Sequence, residues 1–486
     1  MNNIAFASIV ELQKLVTDKK ISHEELLEFF LHRFKQYDPL LGSAIEVFDK
    51  ESILKFDSYT KKNYIHGIPG LIKDNICMKG RIASCASKIL QNYRAPYNAT
   101  AIERLAEVGA LFIGRANMDE FAMGSSTATS AYQKTYNPWS ADRVAGGSSG
   151  GSIAAVAAGL IPWALGSETG GSVRQPATLC GIVGLKPTYG LVSRYGLIAY
   201  ASSLDQIGVA TRTVYDNAIV LSVIAGHDVR DATSLPVNAI DFTQYLTGKI
   251  RPGLRIGVIE NALQAPGMDV EVVEQLERAL RDFEKLGATI ERIKIPTMDY
   301  SAAAYFIMSR AEAASNLARF DGIRYGMRSR EARNLEEVYE LSRAQGFGNE
   351  VKLRILMGNY VLSVGHADEF YQRAKQVQQI MKQEFEQIFQ KIDVLFSPGS
   401  PAQAFTFDSF VTPEQELQMD AQDYFSCSAN LVGIPAIAVP CGFTKNKMPI
   451  GFQLTGPALA ESLLLQTAYA YEQHTPWHTM HPERFV

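Results

Sequence analysis

Three short stretches hold the side chains best suited to chemistry: Lys73-Asp74-Asn75, then Gly146-Gly147-Ser148-Ser149-Gly150-Gly151-Ser152, then Gly166-Ser167-Glu168-Thr169-Gly170-Gly171-Ser172. Hydroxyls set among glycines can act as nucleophiles at places where the backbone comes close to a ligand, because glycine carries no Cβ and accepts unusual turns. Either loop taken alone could equally be a flexible connection. Each, however, leads into or out of a well-patterned apolar element, which puts its glycines at structured turns. A phosphate cradle fits poorly. Neither loop ends in Gly-Lys-Ser/Thr, and neither reads G-x-G-x-x-G with a partner acid about 20 residues on.

Gly146 to Gly150 does match the G-x-S-x-G nucleophile elbow of hydrolases. An elbow needs a strand directly before it, whereas the stretch from Asn137 to Arg143 reads as a loop of turn formers. It also needs a histidine base. The eight histidines are His23, His32, His66, His227, His366, His474, His478 and His481, and none falls between residues 67 and 226. His474 and His478 have i, i+4 spacing, but Pro476 between them argues against a shared helical face. The base available within the segment is Lys73. At a reference pKa of about 10.4 only about one lysine in a few thousand is neutral at pH 7, so Lys73 must be desolvated to serve. Gly70-Leu71-Ile72 and Ile76 give it an apolar strand setting, and on a strand Lys73 and Asp74 point to opposite faces. Without the two loops, a surface Lys-Asp pair at a strand end would be the simpler reading.

The elements that would position these groups alternate in type. Residues from 8 to 39 read as helical, with a capping-box pattern at Ser22 and Glu25 opening a second helix. Gly70–Ile76, Ala110–Gly114, Leu254–Glu260 and Ile392–Phe396 read as strands; Ala99–Val108, Ser152–Gly159, Val270–Leu286 and Tyr371–Phe389 read as helices. That alternation predicts an α/β layered fold around one large sheet. The polar stretch His227–Pro252 reads as a surface connection.

Composition removes several function classes. The 486 residues are 47% hydrophobic and 20% charged, enough for a large core and, by length alone, for two or three domains. With 47 basic against 51 acidic residues and no long block of like charge, nothing predicts electrostatically driven binding of nucleic acid. The N-terminus lacks a basic region before an apolar stretch, so no signal peptide is expected. The most apolar run, Ile153–Leu165, is interrupted by Gly159 and Pro162 and is shorter than the roughly 20 residues needed to cross a bilayer. Cys77, Cys85, Cys180, Cys427 and Cys441 are odd in number and scattered, which fits reduced thiols in a cytosolic protein.

Lys73, the Gly146–Ser152 loop and the Gly166–Pro176 stretch together resemble the amidase signature family, enzymes that cleave carboxamides with a Ser-Ser-Lys triad. Within it, Asn117–Ser126, Gly184–Gly190 and Arg319–Gly326 look like the glutaminase (A) subunits of aspartyl/glutamyl-tRNA amidotransferases. The resemblance implies a large mixed central β-sheet sandwiched between layers of α-helices. It also implies one catalytic domain over residues 61–486, with residues 1–60 a helical segment packed on it, in place of the count suggested by length. By the same resemblance Ser172 is the nucleophile, Ser148 the proton-relaying serine and Lys73 the neutral base. The backbone N–H groups of Thr169, Gly170, Gly171 and Ser172 are then the oxyanion donors.

Recognition of glutamine requires a cation for its α-carboxylate and an anion for its α-ammonium. The resemblance assigns these to Arg354 and Asp423, with Tyr305 as a wall and hydrogen-bond donor; either charge could equally be a solvated helix residue. Arg174 is expected to anchor the nucleophile loop. Two positions depart from the family pattern: Glu168 stands where aspartate is usual, and Thr127-Ala128-Thr129-Ser130 replaces a commoner Thr-Glu-Asn-Ser. No cofactor or metal is expected in this chain. ATP, Mg²⁺ and most contacts with misacylated tRNA are implied for a companion B subunit, braced by a small C subunit, in a cytoplasmic complex without membrane contact. A stand-alone hydrolase of small carboxamides is the other reading.

Overall fold

Ser22 accepts the backbone N–H of Glu25 at 3.1 Å while the Glu25 carboxylate accepts the Ser22 N–H at 2.8 Å, and the helix His23–Leu41 starts there. Ser8 and Glu11 form a second such box ahead of the helix Ile9–Thr17. Each box satisfies two backbone donors that a helix start would otherwise leave unpaired. These contacts are seen in a computed structural model that describes residues 2–54, 63–409 and 422–486.

Thirteen strands are present among the described residues: β1 Ala44–Val47, β2 Pro69–Lys73, β3 Leu111–Ala116, β4 Tyr136–Asn137, β5 Ser140–Val144, β6 Trp163–Glu168, β7 Val183–Lys186, β8 Gln206–Thr211, β9 Arg255–Ile259, β10 Thr289–Ile293, β11 Val394–Pro398, β12 Ala436–Phe443 and β13 Pro449–Thr455. Eleven of them form one mixed sheet in the order β1-β3-β2-β6-β8-β7-β12-β13-β11-β9-β10. β3, β2 and β6 run parallel to one another, as do β11, β9 and β10, while the strands between are antiparallel. The fold is therefore mixed α/β, with helices covering the sheet. Central strands are buried along their whole length, as β2 and β6 are, which is why they read as continuous apolar runs rather than as alternation.

Two apolar clusters hold the layers together. One joins Leu12, Leu26, Phe30 and Phe34 of the N-terminal helices to Leu71, Ile72, Leu165 and Val209 of the central strands. The other packs Tyr305, Met308, Val351, Ile355 and Phe385 from the helices Ser301–Leu317, Asn349–Leu362 and Gln372–Ile388 against Leu395 and Ala436 of the sheet.

Three sequence expectations change. The strand read as Gly70–Ile76 stops at Lys73, because Asp74 turns away to Arg115, Ser84 and the Ala86 N–H, and Ile76 N–H closes a turn on the Lys73 carbonyl at 2.9 Å. The stretch read as a loop before Ser148 contains β5, paired with β4 in a small ribbon outside the main sheet. The N-terminal segment is not wholly helical, since β1 pairs antiparallel with β3 at the sheet edge. No helix among the described residues is long and apolar enough to span a membrane.

Candidate active site

Lys73 is the last residue of β2, and the neighbouring parallel strand β6 ends at Glu168, so both chains leave the sheet at the same edge. The Gly146–Ser149 turn arrives there from β5 and opens the helix Gly150–Ala157. At this junction the Lys73 Nζ lies 2.8 Å from Ser148 Oγ, 2.8 Å from Ser149 Oγ and 3.0 Å from the Ser167 carbonyl oxygen. Lys73 and both serines are fully buried. Burial pulls the Lys73 amine down to about 7, against the opposing pull of the Asp119, Asp205 and Glu168 carboxylates. Asp74, just past the strand, is committed elsewhere, to an ion pair with Arg115 at 2.5 Å. A neutral amine in contact with a hydroxyl is therefore accessible near pH 7 without histidine.

Ser172 sits one turn beyond β6 and is 8% exposed, in contrast to the sealed Ser148. Its carbonyl accepts the Ser149 N–H at 3.1 Å, which ties the two Gly-rich loops together. The Ser148 and Ser172 hydroxyls are not hydrogen-bonded to each other among the described residues. The backbone N–H groups of Thr169, Gly170, Gly171 and Ser172 donate to no acceptor among the described residues, although the carbonyls of this loop are taken: Gly170 by Ser426 Oγ at 2.5 Å and Gly171 by the Gln175 N–H at 2.8 Å. Four unclaimed donors in one Gly-rich turn are available to an oxyanion.

The glycines are there for close approach. A side chain at Gly147 would run into the Asp119 carboxylate, and one at Gly170 would run into the Tyr305 ring. Gly170→Ala is accordingly expected to push Tyr305 off the loop and lower turnover, by about tenfold if one oxyanion donor is partly lost, as checked by steady-state kinetics; unchanged kinetics would mean the ring has room to retreat. Glu168 and Arg174 clasp the loop from its two ends. The Glu168 carboxylate takes the Arg174 Nε at 2.8 Å and Nη2 at 2.5 Å, and also the backbone N–H groups of Val173 and Arg174. Arg174 reaches on to Gln453, Asn430 and the Ser426 carbonyl. Arg174 thus anchors the loop, and glutamate in place of aspartate keeps a carboxylate at this point. The second departure is also accommodated: Thr127 bonds Gly146 and Gly150, and Thr129 bonds Asp119.

Of the residues assigned to substrate, Tyr305 lies against Gly170 and is 8% exposed. Arg354 is buried in the helix Asn349–Leu362, with Nε on Glu350 at 2.5 Å and Nη1 on Tyr200 Oη at 3.0 Å. Asp423 falls in the short turn Gln422–Phe425, and its side chain lies outside the described residues. Sequence reasoning did not single out Ser149, Asp119, Tyr200 or Asp205. Ser149 could not have been told from Ser148, since both hydroxyls stand in one Gly-Gly-Ser-Ser-Gly-Gly run and both reach Lys73. No cluster of His, Cys, Asp and Glu among the described residues is arranged to hold a metal.

A large mixed sheet with a buried lysine beside paired Gly/Ser loops defines a class, and the sequence profile of the Amidase family matches residues 25–465. The chain belongs to the amidase family. It is 46% identical over 476 residues to the A subunit of glutamyl-tRNA(Gln) amidotransferase from Halothermothrix orenii, covering 98% of each chain. It is 46% identical over 484 residues to the protein of the same name from a Cyanothece strain, covering 98% of this chain and all of that one. The solved structure of the corresponding protein from Thermotoga maritima, which carries the same name, superposes with a TM-score of 0.82 at 40% identity, over 97% of this chain and 96% of that one. The solved structure of 6-aminohexanoate cyclic dimer hydrolase complexed with substrate gives 0.86 at 25% identity, over 99% of this chain and 100% of that one.

Proposed function

We propose that this chain is the glutaminase subunit of a tRNA-dependent amidotransferase, releasing ammonia from glutamine so that a partner can convert Asp-tRNA or Glu-tRNA to the amidated form. The observation that carries the chemistry is Lys73: a buried amine with a pKa lowered to about 7, 2.8 Å from Ser148. Ser172 Oγ attacks the side-chain carboxamide carbon of glutamine. Its proton passes to Ser148 as the Ser148 proton passes to Lys73, and the N–H groups of Thr169 to Ser172 hold the oxyanion. The proton returns along the same path to the leaving nitrogen, ammonia departs, and water hydrolyses the glutamyl ester left on Ser172. Full-length similarity to proteins named for their place in an amidotransferase supports glutamine as substrate. Arg354 would hold the α-carboxylate and Asp423 the α-ammonium, with Tyr305 as the wall beside Gly170. ATP and Mg²⁺ belong to a B subunit that also takes the misacylated tRNA, a small C subunit braces the pair, and the complex works in the cytoplasm.

The test is ammonia release from L-glutamine by the chain purified with its partners. Arg354→Ala should raise KM for glutamine by about tenfold or more with a smaller change in kcat, the pattern for loss of a group that binds ground state and transition state alike. The likeness to 6-aminohexanoate cyclic dimer hydrolase favours one other reading, a stand-alone carboxamide hydrolase. Inactivity on glutamine together with hydrolysis of a simple aliphatic amide would establish it.

A further inference from the structure

The oxyanion loop and the arginine assigned to the substrate carboxylate are joined by a short chain of buried hydrogen bonds. Arg354 Nη1 donates to Tyr200 Oη at 3.0 Å. The backbone N–H of Tyr200 donates to Asp205 Oδ2 at 2.8 Å, as does that of Ala201 at 3.0 Å. Asp205 Oδ1 in turn accepts the Thr169 hydroxyl at 2.7 Å. Tyr200 is 1% exposed and Asp205 4%. Asp205 makes no ion pair among the described residues, so its carboxylate is held by these three donors, and Thr169 is the one side chain among them. A buried carboxylate depends strongly on each of its few donors. Displacing Tyr200 shifts the backbone that grips Asp205, and Asp205 fixes the first residue of the loop that stabilises the oxyanion.

We propose that Tyr200 and Asp205 are positioning residues that carry the occupancy of Arg354 to the Thr169–Ser172 loop, so that an amide bearing an α-carboxylate is favoured in kcat as well as in binding. This rests on the assignment of Arg354 to the glutamine α-carboxylate. An anion held by the guanidinium fixes the Nη1 that donates to Tyr200 Oη, and that constraint reaches Thr169 through Tyr200 and Asp205. A simple amide brings no carboxylate to Arg354 and gains nothing from this link.

The experiment uses the chain with its partner subunits and two substrates, L-glutamine and butyramide, on wild type, Tyr200→Phe and Asp205→Asn. Tyr200→Phe keeps the ring and removes only the hydroxyl. It is expected to lower the ratio of kcat on glutamine to kcat on butyramide about tenfold, an ordinary size for coupling between sites. Asp205→Asn keeps the shape and is expected to lower kcat on both substrates, by about tenfold or more, because both use the loop. A rise in KM alone for Tyr200→Phe, an equal fall on both substrates, or wild-type kcat for Asp205→Asn would each overturn the coupling while leaving the glutaminase reading in place. Failure of that reading is seen separately, as wild type inert on glutamine, and removes the coupling with it.

Discussion

Replacing Lys73 with alanine is expected to cut amide hydrolysis by on the order of 10²–10⁴-fold, the range over which a positioned general base contributes, with no pH at which activity recovers. Lys73 is the amine bonded to Ser148 among the described residues, and no histidine is among the partners of either. Its lowered pKa of about 7 fixes the shape of the wild-type profile. Below that pH the amine is protonated and has no lone pair to accept the Ser148 proton, so the rate falls tenfold per unit of pH; above it the rate is level. Lys73→Arg should be as inactive as Lys73→Ala, since a guanidinium is not deprotonated in this range. Steady-state rates from pH 5 to 9 check both points. A Lys73→Ala enzyme within a few fold of wild type would remove the base from the mechanism.

Arg174→Ala should destabilise the folded chain by about 3–5 kcal/mol, the cost typical of leaving one member of a buried ion pair without its partner. Arg174 is 1% exposed and Glu168 fully buried, so water cannot take over the lost contacts. Three further acceptors, Gln453, Asn430 and the Ser426 carbonyl, lose their donor in the same substitution. Because Glu168 precedes the oxyanion loop and Arg174 follows it, activity should fall even under conditions where the variant remains folded. Urea unfolding of the variant beside wild type gives the first quantity. A change below about 1 kcal/mol, as for an exposed pair, would show that the clasp adds little.

The grouping of Lys73 with Ser148 in the candidate site was legible in the sequence because it rests on local pattern. Lys73 ends an apolar strand, Ser148 and Ser172 lie in two Gly-rich turns, and the absence of histidine between residues 67 and 226 left lysine as the base. The contacts that could not be read depend on strand register. Ile72 pairs with Arg115 across β2 and β3, which brings Asp74 to that arginine. Glu168 pairs with Gln206 across β6 and β8, which sets Thr169 beside Asp205 although 36 residues separate them. Nothing in either local pattern encodes which strand will be the neighbour. β1 and β5 were missed for a related reason: their burial alternates weakly, and β5 pairs with a two-residue strand and a single bridge to Thr406.

Ser172, rather than Ser148 or Ser149, should carry the acyl group. The direct measurement is rapid acid quenching of the complex during glutamine turnover, followed by proteolysis and mass spectrometry to locate the glutamyl ester. The ester should map to Ser172 and be absent from Lys73→Ala. An ester on Ser148 or Ser149, or turnover with no ester on any of the three, would remove Ser172 as the nucleophile.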